Sequence, residues 1–138
     1  MRRQLTEEDR NALVMYRMNR AHETLKEAKY VADSGFYYAA INRLYYACYY
    51  MTVALLVKYN MQTATHNGVK TLLGLHFISK GKIPASVGKA FYTLYEKRQS
   101  GDYDDFVICD KEMVDMLFPQ AVAFIEAVEH LINNPNEN

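Results

Sequence analysis

Phe36-Tyr37-Tyr38-Ala39-Ala40-Ile41-Asn42-Arg43-Leu44-Tyr45-Tyr46-Ala47-Cys48-Tyr49-Tyr50-Met51 begins the segment on which the fold turns. The run continues to about Tyr59, and only Asn42, Arg43, Thr52 and Lys58 interrupt its apolar and aromatic character. Its length suits a helix rather than a strand, and a helix that is apolar nearly all round must be covered on every side. It is therefore central in a bundle or covered by a second subunit. Its longest uncharged stretch, from Leu44 to Lys58, is too short and too tyrosine-rich to span a bilayer.

The flanking segments supply helices that could cover it. Thr6 is an N-cap signal with Glu7, Glu8 and Asp9 behind it, and the helix it opens runs to about Asp33. Val14, Met18, Ala21, Leu25, Ala28 and Ala32 form its apolar stripe, and Ser34-Gly35 stops it. Asn60 to Ala64 reads as a loop. Thr65 caps a third helix to about Ser79, with Val69, Leu72, Leu73 and His76 on one face. Gly81-Lys82-Ile83-Pro84 is a turn, and Pro84 is set to open a fourth helix over Ser86–Ser100. Gly101 to Asp110 reads as a loop. Asp110 caps a last helix to about Asn133, with Pro119 expected to kink it or split off its first two turns. These patterns predict an all-α, antiparallel up-and-down bundle of about five helices. It forms a single domain over residues 1–138, with its core at about 16–133 and a polar tail at 134–138.

Composition narrows the function classes. The chain has 138 residues, half of them hydrophobic, and a formal charge of zero. A neutral chain has no strong non-specific grip on nucleic acid, and no DNA sequence readout is expected. Cys48 and Cys109 lack metal or redox spacing, which points to a reduced compartment. The opening Met1-Arg2-Arg3-Gln4 runs into charged residues rather than a signal-peptide core, so a cytoplasmic protein with no membrane segment is expected. His22, His66, His76 and His130 have neither a His-x-x-x-His pair nor the Glu-x-x-His spacing of di-iron bundles, so no metal and no cofactor are expected. His76 on an apolar stripe reads as a core histidine.

Three places carry chemistry. On the fourth helix Val87, Phe91 and Leu94 make a stripe whose next position is Arg98. A guanidinium there needs an anion, from Asp102, Asp104 or Asp105 or from a ligand phosphate. On the second helix Arg43 shares a face with Tyr46, Tyr50 and Val53, and reads either as a structural ion pair or as a ligand contact. In Thr65-His66-Asn67-Gly68 the histidine falls in a first helical turn, where the dipole disfavours the imidazolium and free N–H groups invite an anion. The tyrosines of the second helix read as core and interface, with base stacking as the alternative.

The long first helix, Gly35-Phe36-Tyr37-Tyr38-Ala39-Ala40-Ile41-Asn42-Arg43-Leu44-Tyr45-Tyr46-Ala47, Thr65-His66-Asn67-Gly68, and Arg98 followed by Asp102-Tyr103 together resemble the HEPN superfamily. The chain looks most like its small stand-alone prokaryotic, UPF0332-like branch, over about Tyr16 to Asn133. The resemblance implies a homodimer and a minimal nucleotidyltransferase as partner in toxin–antitoxin pairs. It also implies metal-independent endoribonuclease activity in members with an arginine, four to six residues, then a histidine. Arg98 maps onto that arginine, but positions 103 to 105 are Tyr, Asp and Asp, and no histidine follows until His130. A tyrosine or an aspartate is a poor proton acceptor near neutral pH.

The first expectation is therefore a module that binds a nucleotide, RNA or a partner. In that reading Arg43, Tyr46, Arg98, Asp102 and Tyr103 touch the ligand. The alternatives are a ribonuclease toxin, with Arg98 and His66 catalytic, and a purely structural interaction module. In some pairs of this kind the transferase attaches AMP to a tyrosine beside the motif, and Tyr103 is the candidate.

Overall fold

Residues 5–103 and 109–135 are described by the computed structural model, the side chains of 100–103 excepted. Among them are five α-helices and no strand: α1 (Glu7–Asp33), α2 (Tyr37–Lys58), α3 (His66–Leu73, continued by a π turn over Gly74–Ile78), α4 (Ala85–Tyr103) and α5 (Lys111–Asn133). The helices pack on one another as an all-α bundle around α2, which meets α1, α3, α4 and α5.

The helix starts are set locally, by side chains that satisfy the orphan N–H groups of a first turn. Thr6 Oγ1 accepts from the Asp9 N–H at 3.0 Å, and Asp9 returns the bond to the Thr6 N–H, a capping box. Thr65 Oγ1 accepts from the Gly68 N–H at 2.9 Å, and Asp110 Oδ1 from the Met113 N–H at 2.9 Å. Between α1 and α2 the chain reverses at Gly35, whose φ of +85° is costly for any residue with a Cβ. Side-chain bonds from Arg20 to Tyr50 and from Arg43 to Glu27 show α1 and α2 running antiparallel, since one index falls as the other rises.

Packing follows the sequence stripes. Val14, Ala21 and Ala28 of α1 are buried, with Met18, Leu25 and Ala32 against the same core. On α2 the fully covered residues include Ala40, Leu44, Tyr45, Ala47, Met51, Ala54 and Leu55. Alanines recur every seventh residue here and leave room for close helix approach. Phe91 and Leu94 of α4 and Leu117, Phe124 and Ile125 of α5 close the core.

Three sequence expectations are corrected. Gly101 does not end α4, which continues to Tyr103, so the segment read as a loop over Gly101–Asp110 is helical in its first three residues. One glycine costs a helix only about 1 kcal/mol, less than neighbouring turns can hold. Pro119 does not split α5. It lies on the exposed face, so the carbonyl left without a partner can turn to water. His76 is only partly buried; the π turn admits an extra residue and carries Phe77 into the core, 5.1 Å from the Tyr59 ring. Asp104, Asp105 and the end of the polar tail, 136–138, lie outside the described residues.

The burial pattern predicts a sharp contrast between two substitutions. Leu44→Ala should lower the unfolding free energy by about 2–5 kcal/mol in urea titration. Tyr30→Ala, at a residue 75% exposed, should stay within about 0.5 kcal/mol of the parent.

Candidate functional site

Four of the six tyrosines on α2 stand as two i, i+4 pairs, Tyr45 with Tyr49 and Tyr46 with Tyr50, so one helix face is a ladder of rings. Tyr45 is fully buried, and a buried hydroxyl needs a hydrogen-bond partner. It finds His66, whose Nδ1 is 2.8 Å from the Tyr45 oxygen. The imidazole is held on three sides by rings. It stacks on Tyr49 at 4.4 Å between centroids, lies near-parallel to Tyr45 at 5.8 Å and meets Tyr46 edge-on at 5.8 Å.

The start of α3 is built to hold the histidine there. Thr65 caps the helix and fixes the first turn, and the Thr63 side chain lies where a Cβ on Gly68 would stand. Only glycine admits that approach without displacing the loop.

Arg98 reaches the same rings from α4. Its guanidinium carbon lies 5.4 Å from the centroid of Tyr45 and 5.4 Å from that of Tyr46. Two residues far apart in the sequence, Arg98 and His66, thus flank one tyrosine pair. The described surroundings of the guanidinium include aromatic faces, which attract a cation through their quadrupole. Whether Asp102, Asp104 or Asp105 supplies a carboxylate as well is a question outside the described side chains, as is the placement of the Tyr103 phenol.

Arg43 pairs with a carboxylate of another helix. Its Nη1 is 3.3 Å from Glu27 of α1, its Nη2 is 3.2 Å from the Asn42 amide oxygen, and its guanidinium lies 5.3 Å from the Tyr46 ring. The ion pair is part-exposed and contributes little to stability. It nonetheless sets a cation at the open edge of Tyr46. On the same ladder Arg20 of α1 donates to the Tyr50 hydroxyl at 3.2 Å. His22 pairs with Glu129 at 2.9 Å, away from the ladder. Among the described residues no group of three or more His, Cys, Asp or Glu side chains could hold a metal ion. No helix among them is long and apolar enough to cross a membrane.

Electrostatics separate the two groups that could move a proton. Burial pushes the Tyr45 phenol well above its ordinary range, although Arg98 pulls it back in part. It stays protonated, a hydrogen-bonding group rather than a base. Burial first, and then the nearby Arg98 charge, hold His66 below its ordinary value of 6.5. Its imidazole is neutral at pH 7, so one ring nitrogen is an acceptor. The sequence missed Tyr45 and Tyr49 as the residues that hold His66. The doubled i, i+4 tyrosine pairs were the available signal.

A family model described as the HEPN domain matches residues 14–131. A UPF0332 protein of Thermotoga maritima is 31% identical over 126 residues, which is 91% of this chain and 96% of that protein. A UPF0332 protein of Gloeobacter violaceus is 28% identical, over 83% of this chain and 92% of its own length. A protein of Methanocaldococcus jannaschii named "Putative toxin MJ0605" is 28% identical, over 79% of this chain and 81% of its own length.

The His66 environment predicts a pH effect with a definite sign. Above about pH 6.5 folded and unfolded chains both carry neutral imidazole there, and His66 adds no pH dependence. As pH falls below that value the unfolded chain takes up the proton first, and the folded state loses stability. Urea titrations between pH 7.5 and 5 should show this loss in the parent, and a smaller one in His66→Gln. The His66 ring should titrate below 6.5 by NMR.

Proposed function

Because this chain belongs to the HEPN domain family, we propose that it is a toxin-like protein that binds RNA as a homodimer, with a phosphodiester taken between Arg98 and His66. The observation that carries this reading is the meeting of those two side chains on the Tyr45–Tyr46 rings. Arg98 supplies a permanent positive charge to a phosphate, and Tyr46 with Arg43 at its edge offers a face on which a base can stack. The names of two archaeal relatives as toxins agree with this reading. A second copy covers the apolar and aromatic surface left open, Met15, Tyr16 and Met116 among it. The partner in the cell is a minimal nucleotidyltransferase, as the family resemblance implies, and Tyr103 is the residue it would modify with AMP. An adenylyl phosphate there adds negative charge a few residues beyond Arg98 and competes for the phosphate site.

A second reading has its own observation. The neutral His66 imidazole can take the place of the histidine missing after Arg98. It would accept the proton of an RNA 2′-hydroxyl as that oxygen attacks the adjacent phosphorus; the P–O5′ bond breaks, the 5′-oxygen leaves and takes a proton from water, and Arg98 offsets charge on the phosphate oxygens. No metal is needed for that step.

Binding of end-labelled single-stranded RNA is expected at low salt, weakening as salt rises, and Arg98→Ala should reduce it by about tenfold or more. Unchanged affinity in Arg98→Ala rejects the site. Cleavage that persists in EDTA, leaves cyclic phosphate ends and disappears in both Arg98→Ala and His66→Gln would establish the second reading. Light scattering should give twice the 16.0 kDa chain mass at micromolar concentration. Mass spectrometry after co-expression with the partner transferase should find AMP on the Tyr103 peptide and none in Tyr103→Phe.

A further inference from the structure

On the far side of Tyr49 from the chain start of α2, a cavity of about 340 Å³ opens between the first turns of α1, the second half of α2 and the loop that follows it. That volume lies in the range of small-ligand pockets, roughly 300–1,000 Å³. Leu13, Val53, Leu56, Val57, Met61 and Val69 give it an aliphatic wall, and Asn60, Gln62 and Thr63 of the following loop make its rim polar. Arg10 and Arg17, two turns apart on α1 and so on one face, give it two positive charges. No carboxylate lines it.

The two arginines differ from the others on α1 and α2. Arg20 has the Tyr50 hydroxyl, and Arg43 has Glu27. Arg10 and Arg17 make no side-chain ion pair among the described residues, and the Arg17 Nε is buried with no hydrogen-bond partner. A donor shielded from water and left unmade costs stability, and an anion in the cavity would relieve it. A cation is repelled by both guanidinium groups, and a neutral hydrocarbon leaves them uncompensated. An anion with an apolar body satisfies wall and charge together.

We infer that this cavity binds a small organic anion, a carboxylate on an aliphatic body, with its head on Arg17 and Arg10 and its body among Val53, Val57 and Val69. The site is separate from the one at Arg98 and does not depend on RNA binding. It adjoins that site through Tyr49, which lines the cavity and stacks on His66.

Octanoate tests the assignment, with octan-1-ol and octylammonium as neutral and cationic matches of the same body. Titration calorimetry on the full chain should show octanoate binding about tenfold or more tighter than octan-1-ol, and octylammonium not binding. Methyl resonances of Val53, Val57 and Val69 should shift with octanoate. Arg17→Leu should weaken octanoate by a similar factor and bring it level with octan-1-ol. Val53→Phe, which fills the cavity and keeps both arginines, should weaken both ligands, and circular dichroism checks that each variant is folded. Equal affinity for octanoate and octan-1-ol in the parent overturns the inference. Octanoate affinity unchanged in both variants, or shifts confined to other parts of the bundle, overturns it as well.

Discussion

A phenol buried at the centre of a helical bundle has few ways to satisfy its hydroxyl, and at Tyr45 the way taken is a single bond to His66. That bond joins the middle of α2 to the first turn of α3. It fixes where the loop over residues 59–65 must end, and the Thr65 cap and the bare α-carbon of Gly68 let the chain arrive there. The same contact buries the imidazole near the Arg98 charge, and burial first and that charge second lower its proton affinity. Fold and candidate chemistry therefore share one hydrogen bond. A Phe at position 45 would keep the packing and lose the reason for His66 to be there.

The α2 ladder offers tyrosine rings to three arginines. Arg20, Arg43 and Arg98 each lie over rings of the α2 ladder, at 4.9, 5.3 and 5.4 Å. An aromatic face attracts a guanidinium without neutralising it, so the positive charge stays available to an anion. Arg43 has the Glu27 carboxylate as well, in a pair that is part-exposed.

Much of the fold was legible because its determinants are local. Thr6, Thr65 and Asp110 cap the helices they were read to cap, since capping involves residues three apart in the chain. The stripe Val14 to Ala32 was readable for the same reason. Gly101 was misread because a glycine ends a helix through its backbone conformation, which composition does not specify. The Glu27 partner of Arg43 depends on the register of two antiparallel helices. The meeting of His66 with Arg98 depends on three helices at once, and no spacing along one chain segment encodes it. The resemblance pointed to Arg98 and the sequence reading set His66 beside it as a candidate, and tertiary packing brings both to the Tyr45–Tyr46 rings.

The tight reversal at Gly35 has a consequence for how the molecule comes together. α1 and α2 are joined by so few residues that their pairing requires little loop closure, whereas α3 must return to Tyr45 after the intervening loop and α4 only after the whole of α3. The α1–α2 hairpin is thus the natural early unit of folding, and the Arg98–His66 arrangement is among the last contacts to form. Elements that dock late also open at lower free energy than the hairpin that holds them. Amide hydrogens at the start of α3 are therefore expected to exchange faster than those in the middle of α2, the outcome if the site loosens and re-forms while the bundle stays folded.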